Sequence, residues 1–325
     1  MRGVMTARLA CALSVLLAGL PGTTTGSEPP PEFLLAWGGF GGYPLFVACS
    51  PQGTVYVTDW GHTVKKFDAS GNLLGQWGAW GSGPGQFVVP MGIAIGPGGV
   101  VYVADRDNDR VQKFDADGTF LLAWGSYGTA DGQFRAPIGV AVDAAGFVYV
   151  MDLANARVQR FDADGSFVGK WGAYGSGAGQ FMSACGVAVD GDGHVYVADW
   201  GNDRIQKFDS SGTWLAAWGT SGTGDGQFDR PFGVFAASGA VYVTEESGHR
   251  AQKFDGDGTF LTKWGEHGTG NGQFSNPRGI ALCPDGMIYV VDSGGMRVEK
   301  FGPHPIAVTG ATWAQVKALY AGTAP

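Results

Sequence analysis

Short runs of β-branched and aromatic residues, such as Val101-Tyr102-Val103, alternate along this chain with clusters of Gly, Asp and Asn. That is the patterning of strands joined by tight turns, not of amphipathic helices. The pattern also repeats on a longer scale. Trp-Gly pairs stand at Trp37, Trp77, Trp124, Trp171, Trp218 and Trp264, spaced by 40, 47, 47, 47 and 46 residues. Between them "GQF" recurs, ending at Phe87, Phe134, Phe181, Phe228 and Phe274. A Pro-x-Gly-(Val/Ile) phrase begins at Pro90, Pro137, Pro231 and Pro277. "VYV" or "IYV" is centred on Tyr56, Tyr102, Tyr149, Tyr196, Tyr242 and Tyr289, and "RVQKFD" or a variant carries Phe67, Phe114, Phe161, Phe208, Phe254 and Phe301.

Each unit holds four strand-like runs; in the second they are Gly92–Ile95, Val100–Ala104, Arg110–Phe114 and Phe120–Trp124. A four-stranded repeat of this length is a propeller blade, and six sets predict six blades. The continuous apolar "VYV" fits a strand covered on both faces by neighbouring blades. The last unit supplies only three strands, ending at Phe301 before Gly302-Pro-His-Pro. Phe33–Trp37, "FLLAW", reads as a fourth strand with no first three before it, and nearly repeats Phe120–Trp124. The expected fold is therefore all-β: a six-bladed propeller of four-stranded antiparallel blades, with the N-terminal strand pairing with Arg297–Phe301 to complete blade six. Such closure removes open sheet edges.

The phrase "VYVAD…N.R(V/I)QKFD..G", seen at Val100–Gly118 and Val195–Gly212, resembles the NHL-repeat family. The resemblance covers residues 33–302 and implies the propeller fold. It does not imply one function, because the family includes RNA-binding and protein-binding modules, a sensor domain of a bacterial kinase and a zinc-dependent lyase.

Composition adds limits. Glycine is 57 of 325 residues, yet 44% of the chain is hydrophobic and 13% aromatic, so the glycine belongs to turns around a real core. Arg2, Arg8, the apolar run Leu9–Leu20 and the small residues Pro21–Gly26 read as a secretory signal peptide over residues 1–26. The run is about 12 residues, against the ~20 needed to span a bilayer, and no transmembrane segment is expected. Removing this leader leaves 19 basic and 29 acidic residues. An acidic chain without a basic cluster is a poor partner for nucleic acid. Residues 27–32 read as a Pro-rich spacer, and 303–325 as a tail whose Thr312 caps a short helix through Tyr320. The product is expected to be secreted, periplasmic or on the cell surface, and monomeric.

Residue types present in nearly every unit read as structural. Asp59, Asp105, Asp152, Asp199, Glu245 and Asp292 close the second strand, and Arg110, Arg157, Arg204, Arg250 and Arg297 open the third. They are expected to hold turns and bridge blades, and the six Trp to form core. Function belongs where units differ. The loops from fourth to next first strand, and from second to third, share one face of a propeller. Three variable rings lie there: Leu45, Met91, Ile138, Cys185, Phe232 and Arg278 as a channel collar; Trp60, Arg106, Leu153, Trp200, Glu246 and Ser293; and Phe40, Trp80, Tyr127, Tyr174, Ser221 and His267.

From these, Trp60, Arg106, Trp200, Phe232, Arg278, Trp80, Tyr127 and Tyr174 are the candidate binding residues. They suggest an extracytoplasmic, non-catalytic platform for a protein, peptide or glycan. The alternative is a channel-centred metal-dependent lyase or hydrolase. Five histidines are present (His62, His194, His249, His267 and His304), with His62 and His249 at the same repeat position, but none shows a ligand spacing. No cofactor, metal or catalytic residue is assigned. Cys185 falls in the collar. Cys49 and Cys283 lie one register step apart in adjacent blades, so they either face each other as a disulfide or both point outward.

Overall fold

In the computed structural model, which describes residues 28–237 and 239–303, the strands form six four-stranded antiparallel sheets. In blade two they are Pro90–Ile95, Val101–Asp105, Arg110–Phe114 and Phe120–Trp124, each pairing with the next. The second strand is buried at all five positions, because both its faces meet neighbouring blades. The outer strand is half-exposed. Register places Asp105 opposite Arg110 and Val111 opposite Trp124, which puts the two loop classes named above at one end of the blade.

The inner strands pack backbone against backbone around the axis. A Cβ on Gly92 would lie 2.5 Å from the Ile138 carbonyl oxygen of the next blade, and one on Gly139 would lie 2.5 Å from that of Cys185. Only glycine permits that approach. Blade one has Phe46 at this position, and Thr58 mediates instead: the Phe46 N–H donates to Thr58 Oγ1 (3.1 Å), which donates to the Met91 carbonyl (2.7 Å).

The closing strand, Glu32–Trp37, pairs antiparallel with Arg297–Gly302, with Phe33 opposite Phe301 and Trp37 opposite Val298. Ring closure from the N-terminus is thus as the sequence predicts. Cys49 and Cys283 form a disulfide, Cα atoms 5.3 Å apart, joining the inner-strand ends of blades one and six.

The tryptophans sit differently from the expectation. Trp264 is buried, but the other five are half-exposed plates at the rim between blades. Trp77 lies flat on Gly118 of the next blade, where an added Cβ would come within 2.5 Å of the indole; Trp171 covers Gly212 in the same way. Third-strand lysines reach the same turns, Lys66 to the Ala116 carbonyl (3.1 Å) and Lys113 to that of Ala163 (2.8 Å). Blade six has no such turn, since its third and fourth strands come from opposite chain ends. There Lys253 pairs with the Glu28 carboxylate, and the Glu28 N–H donates to the Leu261 carbonyl (2.8 Å). Part of the stretch read as a spacer thus stands in for the missing turn.

Candidate functional site

The loop face rests on a buried polar hub in each blade. Asp59, Asp105, Asp152, Asp199, Glu245 and Asp292 are fully buried. Asp105 accepts hydrogen bonds from Arg110 Nε (2.8 Å), Asn108 Nδ2 (2.9 Å), Gln112 Nε2 (3.0 Å) and the Val88 N–H (2.8 Å). Arg110 spends its remaining nitrogens on the carbonyls of Ser82, Gly83 and Gln86 in the incoming linker. The same bonds recur at Arg157, Arg204, Arg250 and Arg297. Arginine therefore fastens the linker onto its own blade, while contact between blade rims falls to Trp and Lys. In blade one Thr63 and the Gly41 N–H serve Asp59 instead.

Burial raises the Asp105 and Glu245 carboxyls above their ordinary range, against the opposing pull of their hydrogen-bond donors. Glu299 departs from the pattern, standing where blades two to five have Gln112, Gln159, Gln206 and Gln252. Desolvation pushes its carboxyl up to about 7, although Arg297 opposes. Its Oε2 accepts the Gly272 N–H (2.9 Å), while its Oε1 lies 2.6 Å from Arg297 without hydrogen-bond alignment.

The candidate residues separate into three groups. Trp80, Tyr127 and Tyr174 project outward from three successive linkers, 71%, 67% and 72% exposed. Trp60 is exposed too, edge-on to Tyr43 at 6.5 Å. Trp200 and Arg278 belong to one bridge over blades four to six: Trp200 Nε1 donates to Glu246 (3.0 Å), and Arg278 Nη2 pairs with the same carboxylate (2.9 Å). Arg230 stacks on Trp200 at 4.7 Å. Arg106 is half-exposed beside Asp107, 3.6 Å away, and stands apart from that bridge.

Phe232 is the correction. It is only 5% exposed, packed against Phe46 at 5.7 Å and covered by Arg278 at 5.1 Å. Together with Leu45, Met91, Ile138 and Cys185 it belongs to the buried core. A cavity of about 140 Å³ is lined by inner-strand residues such as Ile93, Val140 and Ala188, with no ionisable side chain among the described residues. The Cys185 thiol is buried and pushed well up by desolvation, unsuited to nucleophilic chemistry.

Sequence reasoning missed Tyr43, Glu246 and Arg230 as site members. The signal was present: Glu246 lies in one of the variable rings, and the position before the inner-strand proline reads Tyr43, Val89, Ala136, Arg230 and Asn276, as variable as those rings.

Histidines are placed apart. On the opposite face Asp190, Asp192 and His194 bring ligand atoms within 4.8 Å of one another, a cluster the spacing argument had not recognised. Asp190 there accepts the N–H groups of Asp192 and His194, the same turn geometry as at Asp115 and Asp162. On the loop face the rings of His249 and His267 lie 4.4 Å apart. Residues 1–26, read from sequence as a signal peptide, the stretch expected to form a tail helix, and His304 lie outside the described residues. Among the described residues no helix is long and apolar enough to cross a membrane.

The NHL-repeat model matches residues 87–114, 181–208 and 274–301, each running from a linker phenylalanine to the end of a third strand. The chain is a six-bladed β-propeller with NHL repeats at three places. No curated protein matches this chain. Among solved structures, it is similar to a streptogramin B lyase, with 16% identity, TM-score 0.58, and 80% of this chain and 93% of that one covered. It is also similar to a catalytically inactive variant of virginiamycin B lyase from Staphylococcus aureus with quinupristin, with 16% identity, TM-score 0.59, and coverage of 86% and 91%. At that identity the likeness is one of fold.

Proposed function

We propose that this NHL propeller is a non-catalytic recognition module that acts outside the cytoplasm and binds a protein, peptide or glycan through its loop face. One observation carries the reading. Trp80, Tyr127 and Tyr174 occupy the same repeat position on three successive linkers and stand largely in solvent, while the linker phenylalanines Phe87, Phe134 and Phe181 are fully buried. Large exposed rings on a rigid frame suit anchoring to a partner. The hub carboxylates are engaged in holding loops, and among the described residues the cavity between the inner strands is lined by apolar side chains with no histidine. These features favour binding over the channel-centred lyase or hydrolase that the fold likeness brings to mind. The disulfide supports an oxidising compartment.

The test replaces Trp80, Tyr127 and Tyr174 by Ser, which Ser221 already provides at this position in the fourth linker. Capture of partners from culture fluid and from a glycan array should fall at least about tenfold with the melting temperature unchanged. Undiminished capture overturns the assignment of the face. N-terminal sequencing of exported protein tests the compartment, with a start near Ser27 expected.

A further inference from the structure

We infer that His249, His267 and the side-chain carbonyl of Asn276 form a site for one divalent transition-metal ion at the junction of blades five and six. The inference is independent of the binding role proposed above. It starts from a position that every blade holds in the left-handed region: His62, Asp109, Ala156, Asp203, His249 and Met296. In blades one, two and four this side chain accepts a backbone N–H from the next linker. Val89 donates to His62 Nδ1 (3.2 Å), Ala136 to Asp109 (2.8 Å) and Arg230 to Asp203 (2.8 Å). The corresponding N–H in blade five is that of Asn276. It is diverted to Asp292 Oδ1 (3.0 Å), which also takes the Ser275 N–H (2.8 Å).

His249 Nδ1 is therefore released from the repeat's structural duty, and it is buried without a well-formed hydrogen bond. Asn276 Oδ1 is a second buried acceptor in the same condition. Two such orphans are costly unless something engages them. His267 supplies the third group. In its linker it occupies the position of Trp80, Tyr127 and Tyr174, yet its ring comes to 4.4 Å from that of His249, tilted by 54°. Asp229 and Asp292 contribute negative potential at His249 that favours a cation. Two imidazoles and an amide oxygen match Zn²⁺, Cu²⁺ or Ni²⁺ rather than Ca²⁺ or Mg²⁺, which prefer all-oxygen shells. The remaining coordination positions open to the loop face, where water or a partner's side chain would complete the shell.

The experiment is calorimetric titration of the untagged, disulfide-intact chain with ZnCl₂, with bound metal counted by mass spectrometry after desalting. One equivalent of zinc is expected. Both test substitutions are ones this fold already uses: His249→Ala matches Ala156, and His267→Ser matches Ser221. Each should weaken zinc binding at least about tenfold and remove the zinc-induced rise in melting temperature. Should His249→Ala fail to fold, the exposed His267→Ser variant decides alone. Unchanged affinity in these variants overturns the site, as does the absence of binding at 100-micromolar-scale zinc. Loss of binding on His194→Ala, with the other two variants unaffected, overturns it in favour of the turn on the opposite face.

Discussion

The two faces of the ring use polar and aromatic residues in opposite ways. On the turn face, the exposed Asp117 and Asp257 pair with Lys66 and Lys207 of the preceding blade, while the first Asp of a turn closes it: Asp115 Oδ1 accepts the N–H groups of Asp117 (2.9 Å) and Thr119 (2.8 Å), and Asp162 does the same for Asp164 and Ser166. Such donors hold Asp115 and Asp162 below the usual carboxylate range, and hydrogen bonds led by the Ser211 hydroxyl bring Asp209 to about 2. On the loop face, Trp80 and Tyr174 stand in solvent with no ring or cation partner among the described residues. The difference lies in what shapes each loop. A turn-face hairpin has only its own residues to define it, so its sequence is constrained. A loop-face linker is gripped from below by the Asp–Arg–Gln hub, which binds backbone carbonyls and leaves the outward side chains free to vary.

The strongest way to break this contrast is to break a hub. Arg204→Ala leaves Asp199 buried without its cation, frees the carbonyls of Ser176 and Gly177, and leaves that of Gln180 to Gln206 alone. A loss of about 3–5 kcal/mol is expected in urea melts. A loss below about 1 kcal/mol would show that the loop face does not depend on the hub. Next comes the ring itself. Replacing Cys49 and Cys283 by Ala should cost about 2–4 kcal/mol, because the bond closes a loop with a sequence separation of 234. Melts of the double variant should be insensitive to reductant, whereas those of the parent shift.

A pH series sharpens the comparison further. Glu299 is raised from its ordinary value near 4.5 to about 7, so the folded chain holds its proton more tightly than the unfolded chain does. Its stabilising contribution is full below about pH 4.5 and is lost as pH rises through 7. The turn-face Asp groups are lowered, so theirs is present above about pH 4 and lost on further acidification. Glu299→Gln, restoring the residue of the neighbouring blades, should stabilise by about 1–3 kcal/mol at pH 8 and not at all near pH 4.5. A difference independent of pH would remove Glu299 as the titrating group. The smallest effects test the faces directly. Asp115→Ala should lower the melting temperature measurably through lost turn hydrogen bonds, and Tyr127→Ser should leave it unchanged. Equal losses at the two would erase the distinction.

Much of this was legible in advance. Strand identity, blade number and the closure by Phe33–Trp37 follow from a period and a register, which are local properties. The exposed rings of Trp80, Tyr127 and Tyr174 were also found by asking where units differ. Phe232 failed by the same rule, because variation in a column does not say whether the column faces solvent or the axis. Trp200 and Arg278 were found singly; Glu246 lies in the same variable ring as Trp200, but variation in a ring does not show that its carboxylate joins side chains from the blades on either side.

By itself, then, the sequence determined the ring: six repeats, four strands each, and a displaced strand from the N-terminus to complete the last. Strand pairing needs only alternation and turn chemistry, which neighbours along the chain supply. Tertiary structure alone decided that Phe232 is buried against Phe46 under Arg278, that Glu28 replaces a missing turn, and that Asn276 turns its N–H to Asp292 and leaves His249 beside His267. Those outcomes depend on how side chains from separate blades compete for the same space and the same hydrogen bonds, a competition that no single repeat records.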